Sequence, residues 1–239
     1  MAKTVFISGG SRGIGACAVK EFSKLGYNVA FTYFNSREYA LSLQNQTGAL
    51  AIYCDVADSK QVKSAIDEAY NVFGSIDVLV NNAGIDEFSL FTDITDEMWH
   101  RMIDVNLSGA FYACRAVLPY MISRKQGAII NISSMWGQVG ASCEVHYSVS
   151  KAGLIGLTKA LAKEVGPSNV RVNCICPGVI DTDMNSCLSE NDINQLKCDT
   201  PLGKIGNTKE IFDSILFLSE ESSSFITGQI LGVNGGYII

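Results

Sequence analysis

Ser8-Gly9-Gly10-Ser11-Arg12-Gly13-Ile14-Gly15 follows a short apolar run, Thr4-Val5-Phe6-Ile7, and leads into an amphipathic stretch over residues 14–25. Apolar run, glycine turn and amphipathic stretch, in that order, read as the opening of a βαβ unit. Glycines at 9, 13 and 15 let the backbone turn tightly and approach a pyrophosphate, which the positive end of the following helix stabilises. The spacing is G-x-x-x-G-x-G and departs from the G-x-G-x-x-G fingerprint. Alone, the turn also fits a plain strand-to-helix connection. Its position at the head of a long alternation argues for a nucleotide site.

That alternation runs through the chain. Strand-like runs fall at residues 4–8, 28–33, 49–54, 77–81, 128–133, 170–176 and 229–233. They are continuously apolar rather than alternating, as expected of parallel strands covered on both faces. Helical patterns lie between them at 14–25, 37–46, 59–73, 96–123, 148–165 and 209–218. The expected fold is α/β, a Rossmann-type doubly wound sheet of about seven parallel strands with helices on both faces. No linker or repeat interrupts it, so residues 1–239 are expected to form a single domain. The longest irregular segment, 177–207, holds one possible short helix at 190–196 and follows a strand directly. Loops at that end of an open α/β sheet line the ligand crevice, so this one is assigned to the substrate pocket.

Bulk properties exclude several classes. Hydrophobic residues make up 47% of the 239, and no apolar stretch approaches the roughly 20 residues of a membrane span. No signal-peptide pattern precedes the first strand, so a cytoplasmic protein is expected. The formal charge of −6 disfavours nucleic acid and anionic membrane as partners. The eight cysteines lie mostly in strand-like or helical runs and are expected to be reduced and packed as small apolar side chains. Cys174-Ile175-Cys176 lacks a second ligand pair, and His100 and His146 are the only histidines, so no metal site is expected.

The tip of the second strand bears on cofactor choice. A carboxylate there would bind the ribose 2′-hydroxyl of NAD, and an arginine would accept the 2′-phosphate of NADP. The stretch reads Phe31-Thr32-Tyr33-Phe34-Asn35-Ser36-Arg37, without a carboxylate. Arg12 and Arg37 are candidates for the phosphate, because guanidinium matches its geometry. NADP(H) is therefore expected, with Glu38 read as a favourable first-turn charge of the next helix. Asp55-Val56 follows the third strand, where Asp55 could meet the adenine amino group or cap the next helix. Asn81-Asn82-Ala83-Gly84 ends the fourth, where small residues leave room for the adenosine ribose.

Tyr147-Ser148-Val149-Ser150-Lys151 places a phenol and an amine at i and i+4 on one helical face. A free phenol, with a pKa near 10, exchanges protons poorly at neutral pH. A neighbouring ammonium and an oxidised nicotinamide would stabilise phenolate and lower that value. Ser134 ends the fifth strand, from where its hydroxyl could hold a substrate carbonyl oxygen. Asn106 lies mid-helix, an unfavourable place for asparagine; its side chain or a distorted backbone there could hold a water linking Lys151 to solvent.

Taken together, these residues resemble the short-chain dehydrogenase/reductase family over essentially the whole chain. The matching motifs are the Gly9/Gly13/Gly15 turn, Asn81-Asn82-Ala83-Gly84, Asn106, Ser134, Tyr147-x-x-x-Lys151 and Pro177-Gly178-Val179-Ile180-Asp181-Thr182. The resemblance implies an Asn106–Ser134–Tyr147–Lys151 tetrad in which Tyr147 donates the proton as hydride is transferred. It implies that Lys151 and Tyr147 also contact the nicotinamide ribose, that Thr182 meets the carboxamide, and that Ser11, Ile14 and the 177–180 segment line the cofactor. Within the family the chain most resembles the bacterial 3-oxoacyl-acyl-carrier-protein reductases, which implies a homotetramer and a small-molecule or carrier-bound carbonyl substrate. Those enzymes dock an acidic carrier through two basic residues. Pro167-Ser168-Asn169-Val170-Arg171 lacks one of them, and Lys125 stands as the other. The loop from Trp136 through Glu144-Val145 resembles instead the reductases of aminopentanone-modified elongation factor P, whose amine Glu144 could pair with. Trp136 either lines the pocket or packs the loop, and Glu144 is either a substrate contact or a solvated carboxylate. A nucleotide-binding scaffold without chemistry is the remaining class, and an intact tetrad argues against it.

Overall fold

The computed structural model describes residues 2–185 and 189–239. Seven strands, β1 (Thr4–Ile7), β2 (Asn28–Tyr33), β3 (Leu50–Tyr53), β4 (Val78–Asn81), β5 (Gly127–Ile132), β6 (Val170–Pro177) and β7 (Ile230–Val233), form one sheet in the order β3-β2-β1-β4-β5-β6-β7. Every pairing is parallel. The expected architecture is therefore present. The β1–β4 boundary is where the strand order reverses, and it opens the crevice in which such sheets bind ligands.

Helices α1 (Gly13–Lys24), α2 (Arg37–Thr47), α3 (Ser59–Phe73), α4 (Asp96–Ile103), α5 (Gly109–Arg124), α6 (Trp136–Val139), α7 (Val145–Val165), α8 (Glu190–Asp199) and α9 (Thr208–Ser219) connect the strands. Alternate strand residues feed two cores. Val5 and Ile7 pack with Val19, Phe22 and Phe212 on the side of α1 and α9. Phe6 packs with Ile66, Val117, Met121 and Ala162 on the side of α3, α5 and α7. Burial on both faces is why the strands read as unbroken apolar runs.

Several local features depart from the sequence pattern. The helix expected over 96–123 is divided by a π-helical segment, Asp104–Ser108, that carries Asn106; such bulges recur at functional sites. Helix α7 begins at Val145, earlier than expected, so Tyr147 lies inside its first turn. The short α6, directly after β5, carried no periodic signal. In the 177–207 segment α8 runs to Asp199, past the expected end at residue 196, under a Ser189 capping box. Asp55 is not the cap of α3; Asp58 is, accepting from the backbone N–H of Lys60 and Gln61.

A buried polar line crosses the middle of the sheet. Asn81 Nδ2 donates to Asn131 Oδ1 at 2.8 Å, Asn131 Nδ2 to Thr158 Oγ1 at 2.8 Å, and Thr158 Oγ1 to Leu154 O at 2.8 Å. It ties β4 to β5 and β5 to α7. Truncating Asn131 removes one hydrogen bond from each of two buried partners, Asn81 and Thr158. Asn131→Ala is expected to lower unfolding stability by about 1–3 kcal/mol in urea titration, with wild-type secondary structure by circular dichroism.

Candidate active site

A cavity of about 920 Å³ lies at the carboxyl ends of the strands, lined at one end by Tyr33–Ser36 (residues 33–36), Asp55 and Val56 and at the other by Ser134, Tyr147 and Lys151. Between these ends its wall is the glycine turn, with Gly9, Ser11, Arg12, Gly13 and Ile14. Gly13 has φ +52°, a left-handed backbone. Gly15 does not face the cavity; it lets the turn close on itself, since a β-carbon there would lie 2.3 Å from Gly9 O and 2.7 Å from Asn82 Nδ2. Asn82 braces the turn by donating to Ser8 O and Gly9 O (3.2 and 3.0 Å), while Ser8 Oγ accepts from the N–H of Asn82 and Ala83 (3.0 and 3.1 Å).

At the far end the two arginines separate. Arg12 lines the cavity and lies 3.8 Å from Asp183 in a half-exposed ion pair. Arg37, in the first turn of α2, is exposed and outside the cavity wall, which Asn35 and Ser36 supply instead. Asp55 is on the wall, but its carboxylate already accepts from Arg101 (3.0 and 3.3 Å) and from Ala57 N (3.0 Å). No carboxylate stands at the tip of β2. A dinucleotide with a 2′-phosphate fits this wall: Gly9–Ile14 (residues 9–14) would hold the pyrophosphate, Arg12 the extra phosphate, and Lys151 with Tyr147 the nicotinamide end.

The catalytic end gathers β5, α6, α7 and the start of the loop after β6. Ser134 Oγ accepts from Trp136 N at 3.1 Å, and both Ser134 and Tyr147 line the cavity at this end. Lys151 donates to Ile132 O at 3.0 Å, and its Nζ lies 5.6 Å from the Tyr147 ring centroid. Pro177, Gly178, Val179, Ile180 and Thr182 line the cavity beside them, joined by Leu196 of α8. Burial pushes Lys151 down to about 8. Burial also pushes Tyr147 above its usual value, with the nearby Asp86 charge adding to the rise and Ser134 opposing it. Among the protein groups alone, desolvation of the phenol is the largest influence on Tyr147.

Asn106 is fully within the protein and holds backbone rather than Lys151. Its Oδ1 accepts from Ile85 N at 2.8 Å, and its Nδ2 donates to Ile85 O at 2.9 Å and Ser150 Oγ at 3.1 Å. Of the residues expected at the substrate, Trp136 both lines the cavity and packs edge-on against Tyr237 at 5.7 Å. Glu144 is not a solvated carboxylate. It is 4% exposed, lines the cavity and is pushed up to about 8 by burial and by the adjacent Asp86. Sequence reading missed Asp86, which nothing local distinguishes and which only the tertiary fold sets against Glu144. Lys125 stands just before the amino-terminal end of β5, whereas the cavity lies at the carboxyl ends of the strands, and it is not among the residues lining the cavity.

Fold and site together define a dinucleotide-binding oxidoreductase. A family profile described as "Enoyl-(Acyl carrier protein) reductase" matches residues 9–238. The 3-oxoacyl-(acyl-carrier-protein) reductase of Chlamydia muridarum is 43% identical over 98% of this chain and 96% of its own length. That of Staphylococcus aureus is 39% identical over 99% and 98%. A Serratia marcescens short-chain dehydrogenase/reductase mutant superposes with a TM-score of 0.92 at 34% identity, covering 98% of this chain and 97% of its own. The chain belongs to the short-chain dehydrogenase/reductase family. Among the described residues no helix is long and apolar enough to cross a membrane.

The separation of the two arginines sets a test. Arg12→Ala is expected to weaken NADPH binding by roughly 10- to 100-fold, the worth of a charge-assisted contact, and NADH binding little. Arg37→Ala should leave both near wild type. Fluorescence titration of the reduced cofactors checks this.

Proposed function

We propose that the chain is an NADPH-dependent carbonyl reductase whose substrate is a 3-oxoacyl thioester, with Asn106, Ser134, Tyr147 and Lys151 as its working residues. The observation that carries this reading is the convergence of the Ser134 hydroxyl, the Tyr147 phenol and the Lys151 ammonium at one end of a dinucleotide-sized cavity. The bound cofactor supplies a hydride. Ser134 and Tyr147 hold the carbonyl oxygen, so charge building on it meets two donors in a site shielded from water. The Tyr147 Oη–H protonates that oxygen, and a phenol whose pKa burial has raised is neutral and able to do so at neutral pH. Lys151 stabilises the phenolate left behind, and Asn106 keeps α7 and the residue 84–86 segment in register.

The relatives' names support the 3-oxoacyl substrate, since each is named for that reaction. The family profile's description names an enoyl substrate. A hydroxyl and a phenol sharing one oxygen suit a ketone better, because the proton they deliver ends on oxygen. A cytosolic homotetramer is part of the same reading. Phe111 on α5, Val149 on α7, and Phe225 and Ile239 near the C-terminus are exposed apolar surface available for such contacts.

One observation favours a second reading. Asp86 and Glu144 give the substrate end a negative character that an acyl chain does not need and an amine-bearing ketone would use. That is the chemistry of an aminopentanone group on elongation factor P.

NADPH oxidation with acetoacetyl thioester, beside an amine-bearing ketone, separates the two. Efficient turnover of the thioester is expected, with Tyr147→Phe losing about 10²- to 10⁴-fold in kcat while retaining NADPH binding. Turnover of the aminoketone alone would exchange the first reading for the second. Inactivity toward every carbonyl would remove both.

A further inference from the structure

The segment that follows β7 folds tightly on itself and packs against three separate parts of the cavity wall. Asn234 organises it. Its Oδ1 accepts from Gly236 N at 3.0 Å, its Nδ2 donates to Ile238 O at 3.1 Å, and its carbonyl accepts from Tyr237 N at 3.2 Å. The first contact is with the loop after β6: a β-carbon on Gly178, which lines the cavity, would lie 2.8 Å from Asn234 Cα. The second is with the turn after α8, the helix that carries Leu196 into the wall. Leu202 N donates to Gly235 O at 3.1 Å, and a β-carbon on Gly235 would lie 2.6 Å from Thr200 Cγ2. The third is with α6, where the half-buried Tyr237 meets Trp136 edge-on, ring centroids 5.7 Å apart and planes at 88°.

Tyr237 is not on the cavity wall, whereas Trp136 is, two residues from Ser134. The backbone beneath the indole is fixed, since Met135 N donates to Pro177 O at 2.9 Å and Trp136 N to Ser134 Oγ at 3.1 Å. Among the described residues the indole N–H has no hydrogen-bond acceptor, so its orientation rests on packing, and Tyr237 supplies the aromatic contact. An edge-to-face pair of this kind is favourable beyond the area it buries.

We infer that Tyr237 is a positioning residue of the substrate end, holding the Trp136 indole as the wall against which the carbon chain of the ketone packs. The inference rests on the proposed reading that Ser134 and Tyr147 receive that ketone. Trp136 touches the substrate, and Tyr237 acts through it. An indole already held in place costs the incoming chain no ordering of its own. The contribution therefore falls on ketone binding, and it falls on KM rather than on kcat. Neither residue belongs to the glycine turn or to the tip of β2, so cofactor affinity is independent of the pair.

The test is Tyr237→Ala, followed in two ways. One is steady-state kinetics with NADPH and acetoacetyl thioester. The other is Trp136 emission in a Trp99→Phe background, which leaves a single tryptophan. KM for the thioester should rise roughly 2- to 10-fold, the worth of one aromatic pair, with kcat and NADPH affinity near wild type. Trp136 emission should move to longer wavelength as the freed indole meets water. Tyr237→Phe, which keeps the ring edge, should return both readings to wild type. Added to Trp136→Ala, Tyr237→Ala should cost nothing more. A wild-type KM in Tyr237→Ala overturns the inference, whatever the emission does. So does a raised KM with unmoved emission, or additive losses in the double variant. Joint losses in KM, kcat, NADPH affinity and Tm overturn it as well, because the segment would then support the fold at large. A wild-type enzyme that reduces no ketone defeats the proposed function first, a result distinguishable because it involves no variant.

Discussion

Helix α7 is pinned to strand β5 by buried hydrogen bonds, and the geometry of the site depends on that attachment. Asn131 reaches Thr158, Ser133 Oγ donates to Lys151 O at 2.8 Å, and Lys151 Nζ donates to Ile132 O at 3.0 Å. Each of these groups is buried, so a sliding of the helix would strand polar atoms at a cost of one to a few kcal/mol apiece. The helix therefore has one register against the strand end. Gly137 completes the fit, because a β-carbon there would lie 2.8 Å from the Lys151 carbonyl carbon. Ser134 from the strand and Tyr147 from the helix consequently arrive at the same point.

The same burial that fixes the geometry sets the electrostatics. Desolvation works against the charged forms at the catalytic end, lowering Lys151 and raising Tyr147 and Glu144. The result favours a neutral phenol with an amine whose pKa is brought toward the working range. Asp86 and Glu144 add negative charge close by, which opposes phenolate and so favours proton donation over proton abstraction.

The glycine turn shows the same division between wall and brace. Gly9, Gly13 and Asn82 face the cavity, Asn82 bracing the turn as well, whereas Gly15 only allows the turn to close. Much of this was legible in sequence. Strand, turn and helix announce themselves through local periodicity, and Tyr147 with Lys151 share a face because helical spacing is local. Arg37 is exposed and does not line the cavity, and which side chains reach the wall is set by packing that the sequence does not carry. For Asn106 the sequence offered the side chain or a distorted backbone; the side chain is taken by the Ile85 backbone, a partner distant in sequence, and the backbone is π-helical.

The sequence by itself determined the parallel αβ alternation, the turn, the catalytic spacing and the missing carboxylate at the tip of β2, since each follows from residues close together in the chain. Tertiary structure alone decided that Asp86 and Glu144 share the cavity wall, that Arg12 and not Arg37 lines the cavity, and that Lys125 lies at the amino-terminal end of the sheet, away from it. Those outcomes depend on how separate elements pack, and packing sets both distance and desolvation, on which charge energies chiefly depend.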